Sequence, residues 1–408
     1  MTIRPDITAG QPLAPDSRRV ALIHYWLVGM RGGEKVLEAL CRMFPQADIY
    51  THVHVPGRIS ETINAHRVIT TSVSRLPFAP RLYQKYLPFM PRALEAIDLT
   101  GYDLVISSEA GPAKGVIPPP DAPHLCYVHS PMRYIWDQYH TYRGSAGPLA
   151  RAMMPRMAHH LRTWDAASAG RVDGFVANSG HVAARVRKYW RREAEIVHPP
   201  VAVDRFAPVP RAERGDFYLW AGELAPYKRP DLAVEAFRRL GKPLVVIGGP
   251  EKRARQLAAA APENIRFLGP ASFEVLRDHL ARCRALIFPG EEDFGIVPVE
   301  AMASGRPVIA YGRGGALDTV IGGETGLFFD DQSVEGLVDA VERFEASGIE
   351  TIDPLHLAAH ARRFDEAAFR SGIAASLAGL GVGAQAGALR PAPPREVPLR
   401  PGLALGLG

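Results

Sequence analysis

The stretch PGEEDFGIVPVEAMASGRPVIA, residues 289 to 310, sets Glu292 and Glu300 around Phe294-Gly295-Ile296. ALIFPG reads as a buried strand and IVPVEAMASG as the start of a helix, so EEDFG falls in the loop at the strand's end. A helix N-terminus carries unpaired N–H groups and positive dipole character, and Gly295 permits close backbone approach, which together suit an anion such as a phosphate. Carboxylates repel phosphate but accept hydrogen bonds from sugar hydroxyls. The pair therefore suits a ligand with both groups, a nucleotide sugar, with one glutamate on the hexose hydroxyls and the other, one turn into the helix, on the ribose. Taken singly, either glutamate reads more simply as an acid at a helix N-terminus.

The surrounding pattern supplies the scaffold. From Val20, VALIHYWLV reads as a strand, GMRGGEK as a glycine-bearing turn, and Val36 to Met43 as a helix, the opening of a parallel α/β unit. YDLVISS, HLCYVHS and DGFVANS read as further strands ending in small polar residues, where ligand loops sit in such sheets. After EIVHPPVAVDRFAP a second alternating β/α array begins at FYLWAGELAPYK and runs through PLVVIGGP, IRFLGP, ALIFPG and RPVIAY. The prolines of residues 199 to 215 mark the boundary. The expected division is a flexible N-terminus over 1–18, an N-terminal Rossmann-like domain over 19–200, a C-terminal one over 201–377 and a disordered tail over 378–408. The last helices, from Leu355 to Leu377, are placed to pack back on the N-terminal domain. Two open parallel sheets with ligand loops at their carboxyl ends imply a deep cleft between the domains.

A chain of 408 residues with 47% hydrophobic and 22% charged residues is a soluble globular protein of about two domains, without an apolar run of membrane-spanning length. Its start lacks the apolar core of a secretory signal, which places it in the cytoplasm. Cys41, Cys126 and Cys283 match neither a disulfide framework nor a zinc motif and read as core thiols. RLPFAPRLYQKYLPFMPR, residues 75 to 92, is basic and aromatic without a carboxylate, a composition that suits either anionic lipid headgroups or an ordinary solvated face. Arg185, Arg187, Lys188, Arg191 and Arg192 read as one exposed helix face. No nucleic-acid reader module accompanies them.

Glu292, Phe294-Gly295 and Glu300, with EAMASGRPVIA, resemble the donor-site signature of family 4 of the retaining glycosyltransferases, which have the GT-B fold. GELAPYKRPDLAVEAF resembles that family's lysine-bearing loop and GMRGGEKVLEAL its glycine loop. The likeness runs from about Val20 to Phe369.

The resemblance implies roles. Glu292 would bind the transferred sugar, backbone N–H groups of Phe294, Gly295 and Ile296 would meet sugar and diphosphate, and Glu300 would hold the ribose. Lys228 would neutralise the departing diphosphate. Gly32 and Gly33 would bring their helix to the diphosphate, and His129 would contact the sugar. Many members carry Arg where this chain has Glu223, which leaves the site one cation short unless Arg229 compensates. The reaction implied is transfer with retention, needing no metal and no other cofactor; the chain has no Asp-x-Asp motif, and no nucleophile can be named from the sequence.

GMRGGEK and HSPMRYIWDQYHTY look most like bacterial transferases of exopolysaccharide and O-antigen assembly. The expected donor is GDP-mannose and the expected acceptor a polyprenyl-diphosphate-linked saccharide, reached by peripheral contact of the N-terminal domain with the inner face of the anionic cell membrane. Two other readings stay open: a nucleotide-sugar 2-epimerase of the same architecture, and a non-catalytic GT-B binding subunit. The sequence does not fix the oligomeric state.

Overall fold

The computed structural model describes residues 18–259 and 261–382. Residues 1–17 of the expected flexible N-terminus and 383–408 of the expected tail lie outside them, while the helix Glu366–Gly379 extends into the range expected as tail, 378–408. Two parallel sheets organise the chain. The first comprises β1 (Val20–His24), β2 (Asp48–Thr51), β3 (Arg67–Thr70), β4 (Leu104–Glu109), β5 (His124–Val128), β6 (Gly174–Ala177) and β7 (Glu195–Ile196), in the order β3-β2-β1-β4-β5-β6-β7. The second comprises β8 (Tyr218–Ala221), β9 (Leu244–Ile247), β10 (Ile265–Gly269), β11 (Leu286–Phe288), β12 (Val308–Tyr311) and β13 (Gly326–Phe329), in the order β10-β9-β8-β11-β12-β13. Both are doubly wound sheets whose strand order reverses beside their first strand, so each opens a crevice at that switch point.

The central strands are buried on both faces, as VALIH, LVISSE and HLCYV show by having every residue buried. Four strands had no clear signature in the sequence: β2, β3, β7 and β13. Each has at most four residues, and three of them, β3, β7 and β13, are edge strands, where alternation is incomplete. The 21-residue helix Pro148–Ser168 was also not read from the sequence, since Pro155 interrupts its pattern. Its C-terminal part is anchored by Asp165, which pairs with buried Lys114 and accepts Nε1–H bonds from Trp136 and Trp190, each at 2.7 Å.

The chain crosses between the two sheets twice. Val197 belongs to the first core and Val201 to the second, while on the return Phe364 belongs to the second and Phe369 to the first. The crossings are tied to each other, Val201 N donating to Phe364 O at 2.8 Å. The helix Glu366–Gly379 then packs on the first sheet's helix Gly32–Met43, with Arg42 donating to both carboxylate oxygens of Glu366.

One expectation is corrected. The basic cluster on the helix Gly180–Trp190 is not one exposed face, because Arg185 and Trp190 are buried, at 7% and 5% exposure. Arg192, just past the helix, donates to the carbonyls of Ala169 and Val172. Arg187 and Lys188 alone of this helix's cations face outward. A helix of which one face packs on the sheet buries whatever stands at that helical spacing, and here an arginine does so by taking carboxylate partners.

Candidate functional site

Lys228 and Glu292 flank the switch crevice of the second sheet. Lys228 lies on the loop after β8 and Glu292 on the loop after β11, the neighbouring strand across the reversal. Their side chains meet, Lys228 Nζ standing 2.6 Å from Glu292 Oε2 with both largely buried. Gly295, at φ +88°, ends the loop in a backbone region that L side chains rarely adopt and caps the helix Ile296–Ala303. No side chain caps that helix and no acid stands in its first turn, so its leading N–H groups face the crevice unclaimed by a carboxylate. Glu300 sits further along it, only 7% exposed; desolvation raises its pKa, opposed by Lys35 and Arg205. Phe294 is buried and its ring stacks on His198, 5.4 Å between centroids.

The first sheet supplies the opposite wall. An added Cβ on Gly32 would stand 3.3 Å from Ile296 Cδ1, so the glycine turn and the second sheet's helix are in near contact. At Gly33 an added Cβ would fall 2.1 Å from Tyr25 Oη, so a side chain there would force Tyr25 or the turn to move. The same Cβ would lie 3.6 Å from His129 Nε2, which places the glycine turn over the end of β5. The helix begun by this turn is capped by Glu34, whose carboxylate accepts from Arg31 N at 3.0 Å.

His129 is partly exposed and belongs to a buried polar chain. Ser108 Oγ lies 2.8 Å from His129 Nε2 and 3.1 Å from His24 Nδ1, so the single hydroxyl joins the two rings. Burial pushes the His129 imidazole down to about 4 and holds His24 well below the ordinary histidine range, so both are neutral at pH 7. Ser108 and His24 were not singled out in the sequence; the polar end of YDLVISS was the available signal.

The acids of the EED triplet have separate partners. Glu291 faces His181 at 3.8 Å, Glu292 takes Lys228, and Asp293 is bound by Arg185 at 2.7 Å and approached by Arg133 at 3.4 Å. Three of these four partners, His181, Arg185 and Arg133, lie in the first-sheet half, and Ser179 Oγ also donates to Asp293 O, so the loop after β11 is held from across the cleft. Asp293, Arg133 and Arg185 escaped the sequence reading as site residues. Their juxtaposition depends on contacts more than a hundred residues apart, although Arg133 lies in HSPMRYIWD and Asp293 in EEDFG.

Arg229 does not join the cluster in this structure. It adopts φ +52° and its guanidinium is committed to Asp231 at 3.2 Å, so it does not replace a missing cation. Glu223 faces Arg31 across the cleft at 4.0 Å, both well exposed. Among the described residues, no three His, Cys, Asp or Glu are grouped to hold a metal ion. Nor is any helix among them long and apolar enough to cross a membrane.

Comparison with known proteins agrees with this geometry. Residues 30–205 match the model of Glycosyltransferase Family 4 and residues 204–368 that of Glycosyl transferases group 1, which together cover every strand of both sheets but β1. A D-inositol 3-phosphate glycosyltransferase of Geodermatophilus obscurus is 31% identical over 189 residues, covering 39% of this chain. That match spans 42% of the relative, less than half its length. Sucrose-phosphate synthase from Thermosynechococcus elongatus superposes with a TM-score of 0.66 at 18% identity, over 90% of this chain and 99% of that one. A lipopolysaccharide outer core galactosyltransferase superposes with a TM-score of 0.60 at 15% identity, over 89% and 99% of the two chains. At these identities the superpositions establish the fold.

Proposed function

The chain belongs to family 4 of the glycosyltransferases and has the GT-B fold, and from that premise we propose that it is a retaining hexosyltransferase using a nucleotide-sugar donor. The observation that carries the reading is the Lys228–Glu292 pair at the switch crevice, beside an uncapped helix N-terminus and opposite the Gly32-Gly33 turn. A diphosphate entering there would draw Lys228 to itself and free Glu292 to accept from sugar hydroxyls. Phe294, Gly295 and Ile296 would offer backbone N–H groups, and Glu300 would hold the ribose. His129, neutral and fixed by Ser108, would hydrogen-bond the transferred sugar.

Leaving-group charge would be met by Lys228 and the helix N-terminus, with no metal or other cofactor required. The leaving phosphate would accept the proton of the attacking hydroxyl on the same face, which gives retention without a protein nucleophile. GDP-mannose is the first-choice donor and a polyprenyl-diphosphate-linked saccharide the acceptor, in surface or exopolysaccharide synthesis.

Acceptor access at a membrane surface is supported by one patch. Phe78, Phe89, Leu149 and Met153 are exposed at 72%, 59%, 75% and 62%. Exposed Arg75, Arg81, Lys85, Arg92, Arg151 and Arg156 belong to the same two segments, whose inner faces share one core through Leu87, Met90, Met154 and Ala158. Exposed apolar side chains among cations suit an anionic lipid interface.

The test is a thermal-shift screen against GDP, UDP, ADP and their sugar conjugates, with Glu300→Ala as control. A ligand that binds only the native fold raises its stability. A GDP-specific shift lost in the variant supports the mannose assignment, while silence with every nucleotide removes the donor-site reading and favours a non-catalytic subunit. Sedimentation with phosphatidylglycerol vesicles tests the surface patch; protein left wholly in the supernatant rejects that part.

A further inference from the structure

The donor side of the cleft is rich in acid. Glu223, Glu291, Glu292 and Asp293 stand on its loops, and of the two basic residues on the loop after β8, Arg229 is already taken by Asp231. Lys228 alone leaves a diphosphate facing a surplus of negative charge. A second cation must come from the other half.

Arg133 meets the requirement. It follows His129 by four residues, and its guanidinium lies over the Tyr227 ring, 5.3 Å from the centroid, beside Lys228 in sequence. Its side chain is 15% exposed and its Nε is buried without a hydrogen-bond partner. The bond to Asp293 Oδ2 is long, at 3.4 Å, and Asp293 is already satisfied by Arg185 at 2.7 Å through its other oxygen. Both terminal nitrogens of Arg185 are engaged, donating also to Ser130 Oγ, Pro131 O and Asp137, and its Nε, like that of Arg133, has no partner. Two arginines thus converge on one carboxylate, and Arg133, with a single long bond, is the less committed of the two at its terminal nitrogens. A planar guanidinium held against an aromatic face is well suited to bind phosphate oxygens.

We propose that Arg133 is a phosphate-binding residue of the cleft, reaching across from the first-sheet half to complete, with Lys228, the site for a phosphoryl group. This rests on the donor-site reading above. The phosphoryl group belongs to the donor's diphosphate or to a phosphorylated lipid acceptor, and one set of titrations separates the two.

Calorimetric titration of wild type, Arg133→Met, Arg133→Lys and Lys228→Ala with GDP, UDP, GMP and UMP forms the first arm; farnesyl diphosphate against farnesol forms the second. For a donor contact, Arg133→Met weakens GDP or UDP by about tenfold or more and the monophosphates by less than about twofold, with Arg133→Lys intermediate. For an acceptor contact, nucleotides are unaffected and farnesyl diphosphate, not farnesol, is weakened. A general loss of folding would move monophosphates and farnesol equally, and Arg133→Lys, which keeps the charge, separates that outcome from lost recognition. If Lys228→Ala weakens the diphosphates while Arg133→Met changes neither arm, the inference fails and the donor-site reading stands. If wild type binds no nucleoside diphosphate, both fail.

Discussion

Lys228 and Glu292 neutralise each other across the switch crevice, 2.6 Å apart, on loops that follow adjacent strands. Each residue holds the other in place, the Lys228 side chain 14% and the Glu292 side chain 16% exposed. On the proposed reading the pair is an exchange site: a diphosphate would take the cation and sugar hydroxyls the carboxylate.

That coupling gives a double-mutant signature. Removing one partner strands the other's charge, so Lys228→Met and Glu292→Gln each lower unfolding free energy by about 1 to 3 kcal/mol, reduced from the fully buried case by residual solvent. The double variant loses less than the two single losses added together. Activity behaves differently, because Lys228→Met removes charge stabilisation of the leaving group and lowers kcat by roughly 10² to 10³. Additive stability losses in urea unfolding would refute the coupling.

Gly33 is constrained by Tyr25, whose hydroxyl would be 2.1 Å from an added Cβ. Gly33→Ala pushes the glycine turn from the cleft, costing about 1 to 3 kcal/mol of stability and reducing turnover by at least about tenfold. Tyr25→Phe removes the nearest atom and leaves the ring carbon at 3.2 Å, so the double variant recovers part of both. Recovery is read from Tm and kcat together; no recovery of either would mean that the clash is not the cause.

The cleft was legible wherever the determinant is local. Glu292, Gly295 and Glu300 lie within nine residues of chain on a strand-loop-helix junction, and Lys228 follows a recognisable strand. Those spacings translate directly into position. Arg185 shows the opposite case: its neighbours Arg187 and Lys188 do face solvent, but its own burial depends on Asp293, 108 residues away, and on Asp137. Ser108 likewise needs β4 beside both β1 and β5 before it can join His24 to His129. Strands such as β3 and β7, short and at sheet edges, carry too little alternation to stand out from loop.

Asp293 fastens the loop after β11 to the opposite half through Arg185 and Arg133. Asp293→Ala leaves Arg185, only 8% exposed, with one carboxylate partner in place of two. A loss of about 2 to 3 kcal/mol follows, toward the lower end for breaking a buried pair because Asp293 keeps some solvent contact. The halves also lose a restraint at the cleft, which solution scattering would register as a larger radius of gyration. An unchanged radius with an unchanged urea midpoint would show that the clasp does not hold the halves together.

Acid should destabilise the fold above the range in which ordinary carboxylates titrate. Burial pushes His52, His124 and His129 from 6.5 down to about 4, and lowers His24 as well. A group with a depressed folded pKa binds fewer protons folded than unfolded, so its contribution is complete above pH 6.5 and is lost as pH falls toward 4. For fully buried His52 and His124 the loss is on the order of 3 kcal/mol each at the lower limit. Glu109 opposes it: desolvation raises that carboxyl from 4.5 to about 7, so its contribution is present below 4.5 and lost as pH rises through 7. Desolvation also raises Glu34 and Glu300 and lowers His181 and His360, so three carboxyls offset part of the slope set by six imidazoles. The urea midpoint therefore falls between pH 7.5 and 5, and His124→Gln makes that fall shallower. A midpoint flat over this range would mean that the buried imidazoles already carry protons in the native state, and would overturn the neutral assignment of His129 used in the proposed contact with the sugar.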